Sequence, residues 1–162
     1  MTLRHSLVGW LPSPLLEPRR AWLAIATGWV CAFFPSIALS WLASTLLPNA
    51  AGPEFKVGGA MAVFLLVVFS PVIETFIMAG VLVLLLRFVR PPVAILLSAA
   101  GWGLAHSAAA PAWGLVIWWP FLIFSTLFVV WRERGFFMGV GVVAATHALQ
   151  NLIPALLVAT SN

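Results

Sequence analysis

The sequence predicts an all-α fold, a polytopic transmembrane bundle of about five spans with proline-kinked helices. Of the 162 residues, 63% are hydrophobic and only 7% are charged, whereas a soluble domain carries about 25% charged residues. The mean hydropathy is +1.11, and the apolar residues form long runs separated by short charged flanks. A chain of this length fits one membrane domain without a separate soluble domain.

Five apolar runs approach or exceed the ~20 residues that a membrane span requires. Residues 1–20 form a juxtamembrane segment that we expect at the membrane interface, and residues 21–162 form the transmembrane domain. The predicted spans are 21–47, 57–86 with a continuation to about residue 89, 92–110, 112–131 and 136–160.

The second run is too long for one straight helix, at roughly 45 Å against a hydrocarbon core of ~30 Å. Pro71 lies inside this run, and we expect it to break or kink the helix, because proline lacks a backbone N–H and clashes with the preceding turn. Pro35, Pro120 and Pro154 lie inside other spans, where neighbouring helices can satisfy the freed carbonyls.

Arginines mark the alternate ends of the predicted spans. They precede the first span and follow the second and the fourth, whereas the other connections carry only Glu54 and Lys56 or no charge. The positive-inside rule then predicts a cytoplasmic N-terminus. We expect a multi-pass protein of a cell membrane, a bacterial inner or plasma membrane. The arginines form short flanks rather than one basic stripe, so no nucleic-acid partner is expected. The lipid bilayer is the expected partner, and the oligomeric state stays open.

Glu74 is the only charged side chain between Val57 and Leu86. A carboxylate near the middle of a bilayer costs several kcal/mol unless it has a partner, a proton or a water-filled cavity. Such a residue is a functional-site hypothesis by default. His106 and His147 lie in two other apolar runs and are candidate partners.

These ionisable groups fall at one depth. Glu74 lies 13 residues before Arg87, and His147 lies 13 residues after Arg134. His106 lies 14 residues after Pro92, so all three are roughly 20 Å from the basic side at ~1.5 Å per residue. Asn151 follows His147 by one turn on the same helix face. We expect the four side chains to meet in a polar cavity, with simple helix–helix hydrogen bonding as the alternative for the histidines and Asn151.

A carboxylate and an imidazole can hold and deprotonate a water molecule. A second imidazole and an amide can donate hydrogen bonds to an oxyanion on the attacked carbonyl. The reaction class is therefore hydrolysis of a carbonyl bond, most naturally a peptide bond, without a cofactor.

Three other chemistries compete with this one. Zinc held by His106, His147 and Glu74 is an alternative, although the chain has no H-E-x-x-H motif. A transporter that uses Glu74 as a proton relay is another, although no internal repeat is detected. Serine chemistry is disfavoured, because the chain has no G-x-S-x-G motif and no aspartate.

Three short motifs resemble those of the CPBP family of intramembrane proteases, which includes type II CAAX prenyl endopeptidases and bacterial Abi or bacteriocin-immunity proteins. Residues 71–80 read P-V-I-E-T-F-I-M-A-G, similar to the family's E-E-x-x-x-R motif with its preceding proline and following glycine. Residues 102–106 read W-G-L-A-H, similar to F-x-x-x-H, and residues 147–151 read H-A-L-Q-N, similar to H-x-x-x-N. The motif core covers residues 71–154.

The resemblance implies an intramembrane endopeptidase that cuts a peptide or membrane-protein substrate. Glu74 and His106 would activate water, while His147 and Asn151 would form the oxyanion hole. The chain departs from the first motif at Thr75, where the family has a second glutamate, and at Ala79, where it has an arginine. The alternative is therefore a catalytically weak or inactive member that acts as a membrane binding or immunity protein.

Overall fold

The computed structural model describes residues 3–161, so Met1, Thr2 and Asn162, at the outer ends of the two predicted segments, lie outside the described residues. Within that range the regular structure is helical and no strand occurs. Five helices are long and apolar enough to cross a membrane. They are α1 (Ala21–Leu46), α2 (Gly59–Leu85), α3 (Pro91–Ala109), α4 (Gly114–Trp131) and α5 (Phe136–Ser161). The expected five-span helical bundle is confirmed, and the chain is a multi-pass membrane protein.

The juxtamembrane segment folds back onto the bundle. It contains a short turn at Leu3–His5 and one helical turn at Ser13–Leu16, and the latter packs against α1 and α4. Val8 and Leu15 are buried, whereas Leu7 and Trp10 are exposed. One apolar side of the segment therefore covers the bundle, and the other presents hydrophobic side chains outward.

Helix α4 is the centre of the bundle and packs against each of the other four spanning helices. Its most apolar stretch is 72% buried, against 22–33% for the other four helices. Phe121, Phe124 and Phe128 form much of the core and are almost completely buried. Because α4 is apolar all round, its sequence periodicity does not indicate which face meets which neighbour.

Helices α3 and α4 touch backbone to backbone near the short connection between them. A Cβ atom on Gly114 would lie 2.0 Å from the carbonyl oxygen of Gly103 and 2.0 Å from the hydroxyl of Ser107. A Cβ atom on Gly103 would lie 3.0 Å from the Cβ of Trp118. Small residues of this kind permit close helix packing in membranes. This contact brings His106, one turn after Gly103, against the start of α4.

Helix α2 changes its hydrogen-bond register before Pro71. It starts as an α-helix at Gly59–Val63, passes through a π-helical segment at Phe64–Phe69 and resumes as an α-helix at Ser70–Leu85. The helix therefore continues through Pro71, so the break that was one of the two expected outcomes does not occur, and the π-helical segment lies directly before the proline. It ends at Leu85, short of the continuation to about residue 89 that the sequence predicts, because residues 86–88 form a turn before Pro91 starts the next helix.

A side chain of α4 replaces the backbone hydrogen bond that α1 lacks because of Pro35. Proline has no backbone N–H, so the carbonyl four residues earlier, that of Cys31, lacks its usual donor. The indole Nε1 of Trp119 donates to this carbonyl at 2.8 Å. The bond ties α1 to the central helix at the level of the proline.

Replacing Trp119 with phenylalanine should lower the free energy of unfolding by about 1 kcal/mol, because interhelical hydrogen bonds in membranes contribute about that much. The penalty should shrink in a Pro35→Ala background, where a backbone N–H again faces the Cys31 carbonyl. Denaturation in mixed detergent micelles measures both. Trp22→Phe, at an exposed tryptophan of the same helix as Pro35, is the control. An equal penalty in both backgrounds would contradict this role of Trp119.

Candidate active site

All four predicted side chains line one cavity of about 590 Å³. Glu74 reaches it from α2, His106 from α3, and both His147 and Asn151 from α5. Cavities that bind small ligands have volumes of about 300–1,000 Å³. The structure therefore brings together groups that lie up to 77 residues apart in the sequence.

Glu74 is held between a hydroxyl and an imidazole. The hydroxyl of Ser70, one turn earlier on α2, donates to Oε1 of Glu74. Oε2 of Glu74 lies 3.8 Å from Nε2 of His147, which is too long for a direct hydrogen bond but close enough for electrostatic attraction. Sequence reasoning missed Ser70, although its four-residue spacing from Glu74 places both on one helix face. It also paired Glu74 with His106, whereas the direct contact is with His147.

His147 is buried among aromatic rings. Its ring centroid lies 4.6 Å from that of Phe124 and 5.5 Å from that of Phe121, and the residue is only 4% exposed. Its Nδ1 has no hydrogen-bond partner within the described part of the chain. Because Nε2 faces the Glu74 carboxylate, the neutral ring favours the tautomer with its proton on Nε2. His147 therefore presents a donor towards the cavity.

His106 is fixed in the opposite tautomer. Its Nδ1 lies 2.9 Å from the carbonyl oxygen of Trp102, and since a carbonyl can only accept, Nδ1 carries the proton. The Nε2 of the neutral ring is then an acceptor. The His106 ring packs edge-on against Trp113, with 4.7 Å between ring centroids, and also contacts Phe121, with 5.7 Å between ring centroids. The two imidazoles thus offer one acceptor and one donor.

Asn151 donates a hydrogen bond to the π-helical part of α2. Its amide Nδ2 donates to the carbonyl of Leu66 at 2.9 Å. In the π register, where Ser70 donates to Leu65 five residues earlier, the next donor would be Pro71, which has no N–H. Asn151 supplies that missing donor from α5. An amide nitrogen carries two hydrogens, so one remains for a group in the cavity.

Thr75 and Ala79, at which the sequence differs from the motif it resembles, lie in the protein interior. Thr75 is 1% exposed, and its hydroxyl oxygen has no hydrogen-bond partner among residues 3–161. Ala79 is completely buried. Neither residue lines the cavity. Both positions are therefore occupied by small uncharged side chains outside the cavity lining.

Within residues 3–161, no group of three or more histidine, cysteine, aspartate or glutamate side chains is placed to hold a metal ion. No family model, curated protein or solved structure matches the chain.

The cavity combines a carboxylate, an imidazole acceptor, an imidazole donor and an amide group with one hydrogen still available to donate. Such a set can hold water beside a base and present donors to a carbonyl oxygen.

Proposed function

We propose that the protein is an intramembrane endopeptidase of the CPBP type, which hydrolyses a peptide bond in a peptide or membrane-protein substrate. One observation carries the proposal: Glu74 lies 3.8 Å from His147 in a cavity of about 590 Å³ that His106 and Asn151 also line. The order of the three motifs in the sequence supports the same family. The arginines at alternate helix ends support a cytoplasmic N-terminus under the positive-inside rule.

The hydrolysis proceeds by attack of water on the scissile carbonyl carbon. Glu74 takes a proton from the water, and Nε2 of His106 accepts the second hydrogen and orients it. The carbonyl oxygen becomes an oxyanion that accepts hydrogen bonds from Nε2 of His147 and from the free amide hydrogen of Asn151. The proton on Glu74 then passes to the peptide nitrogen as the carbon–nitrogen bond breaks. The products are a carboxyl group and an amine.

A non-catalytic membrane binding or immunity protein is the second candidate, and the small buried side chains at Thr75 and Ala79 favour it. Purified protein in detergent, incubated with a degenerate peptide library and followed by mass spectrometry, separates the two. New peptide termini at a reproducible sequence support the endopeptidase. No cleavage of any peptide, with full biological activity of a Glu74→Gln variant, supports the binding protein.

Hydrolysis should survive strong chelators. The proposed mechanism uses a carboxylate and imidazoles on water, so EDTA or 1,10-phenanthroline should leave kcat unchanged while a zinc protease treated in parallel loses activity. Elemental analysis of the purified protein should give no stoichiometric zinc. Zinc bound through His106 and His147 would replace the water mechanism and keep the same site.

A further inference from the structure

The cavity extends to the end of the bundle opposite the arginines. Its lining continues from Glu74 to the α1–α2 connection, where Gly52 and Pro53 line it and are exposed. It also includes Ala112 in the α3–α4 connection. The arginines at the other helix ends take no part in the lining, namely Arg19, Arg20, Arg87, Arg90, Arg132 and Arg134.

The cavity does not favour an anion. Among the residues that the structure describes, no lysine or arginine lines the cavity, and Glu74 is the only carboxylate in the lining. A ligand carboxylate or phosphate would therefore be desolvated close to the Glu74 carboxylate, and no ammonium or guanidinium of the described lining would lie beside it, which is strongly unfavourable. This chemistry selects an uncharged ligand. It argues against a chain end with a free carboxylate and against a phospholipid headgroup.

One wall of the cavity carries a serine ladder, formed by Ser36, Ser40 and Ser44 of α1. Residues four apart on a helix are separated by about 6 Å along the axis. The backbone groups on one edge of an extended chain repeat every two residues, or about 6.6 Å. The spacing of the ladder therefore fits an extended peptide. Ser36 and Ser44 donate to carbonyls of their own helix, so their oxygens are left to accept.

Gln150 gives a second and independent indication of a polar ligand. It lines the same cavity, is only 9% exposed, and its side-chain carbonyl oxygen has no hydrogen-bond partner among the described residues. A buried acceptor without a donor is unfavourable by about 1–3 kcal/mol. The oxygen itself is shielded from the cavity. Rotation of the Gln150 side-chain amide would turn it towards the cavity, where a backbone N–H of a bound peptide can donate to it, whereas an acyl chain has no donor to offer.

We propose that the cavity binds an uncharged, extended, internal segment of a polypeptide, which arrives from the membrane face opposite the arginines and lays its backbone along the serine ladder. The proposal rests on the proposed function, since it names the substrate class of that same site. The segment is internal because no lysine or arginine in the described part of the lining is available to bind a terminal carboxylate. Its backbone N–H groups pair with serine oxygens and Gln150, and its scissile carbonyl lies beside Glu74.

The direction of opening is tested with a membrane-impermeant maleimide on single-cysteine variants in a Cys31→Ala background. Ser44→Cys should be labelled from the membrane face opposite the one that labels Arg134→Cys. Labelling is compared between intact and disrupted cells. The two cysteines should differ in whether they are labelled in intact cells, whichever orientation the protein has in the membrane. Ala50→Cys, also in the lining, replaces Ser44→Cys if that variant does not fold. Labelling of both positions from the same face overturns the proposal.

The ligand class is tested by protection of the Ser44 or Ala50 cysteine from maleimide, with Glu74→Gln added so that nothing is cleaved. The probes are an alternating Val/Ala peptide blocked at both ends, the same peptide with a free carboxylate, and a short-chain phospholipid. We expect saturable protection by the blocked peptide and clearly weaker protection by the other two. Equal or better protection by the phospholipid or the free carboxylate overturns the proposal.

The serine ladder is tested with Ser40→Ala, which should weaken binding of the blocked peptide by about 2- to 10-fold, the value of one hydrogen bond. Thr45→Ala on the same helix is the control, because Thr45 is exposed and does not line the cavity. An unchanged affinity in Ser40→Ala contradicts the ladder. If the blocked peptide protects the cysteine but the wild type cleaves no peptide, the hydrolytic function is refuted and the ligand class is kept. If the wild type cleaves the library but the blocked peptide gives no protection, the ligand class is refuted and the hydrolytic function is kept.

Discussion

Glu74→Gln is expected to lower kcat/KM for peptide hydrolysis by about 10²–10⁴-fold, the usual contribution of a general base. The amide cannot take a proton from water, yet its oxygen can still accept from the Ser70 hydroxyl. The free energy of unfolding should therefore change much less than the rate. Cleavage of the best library peptide, followed by mass spectrometry, gives the rate, and denaturation in micelles gives the stability.

Glu133→Gln is the matched control, because Glu133 lies in the turn after α4 and outside the cavity. This variant should keep the wild-type rate. Glu74→Asp should also be slow, since a displacement of about 1 Å of a catalytic group can reduce the rate by 10²-fold. A Glu74→Gln variant that hydrolyses at the wild-type rate would contradict the assignment of Glu74 as the base.

The second large effect is expected at Asn151. Asn151→Ala removes the donor to the Leu66 carbonyl, so the free energy of unfolding should fall by about 1–3 kcal/mol, the usual consequence of a buried carbonyl without a partner. It also removes the amide hydrogen that faces the oxyanion, which should lower kcat by about 10²–10³-fold. Asn49→Ala, at an exposed asparagine after α1, should change neither quantity.

Pro71→Ala separates the two roles of Asn151. This substitution restores a backbone N–H at the position that serves the Leu66 carbonyl in the π register, so the stability lost in Asn151→Ala should largely return in the double variant. A double-mutant cycle should give a coupling of about 0.5–3 kcal/mol. The rate should stay low, because no backbone donor replaces the amide at the oxyanion. A rate that recovers together with the stability would show that Asn151 only holds the π segment.

The spans were predictable because length and hydropathy alone define them. Apart from the overlong continuation of the second span, the ends of the predicted and observed helices agree within two residues. The common depth of Glu74, His106 and His147 followed from the ~1.5 Å rise per residue, and it agrees with their shared cavity.

The rotation of the helices was not predictable in the same way. In a helix that is apolar all round, periodicity does not show which face meets a neighbour. The π segment further changes the hydrogen-bond register of α2, and no residue pattern in Phe64–Phe69 predicts this change. The contact of Glu74 with His147 and the bond from Asn151 to Leu66 both depend on that rotation. They therefore became visible only in three dimensions.

The enclosed position of α4 has a consequence for biogenesis. In the finished protein α4 packs against the other four spanning helices and is mostly buried, yet its mean hydropathy of 2.0 exceeds that of α1, α3 and α5. The ribosome delivers α4 before α5, so the nascent span must reside among acyl chains until its last neighbour arrives. Because α4 is apolar on every face, it is stable in contact with acyl chains during this interval. The innermost helix therefore has a composition that is compatible with lipid during synthesis as well as with its helical neighbours in the folded protein.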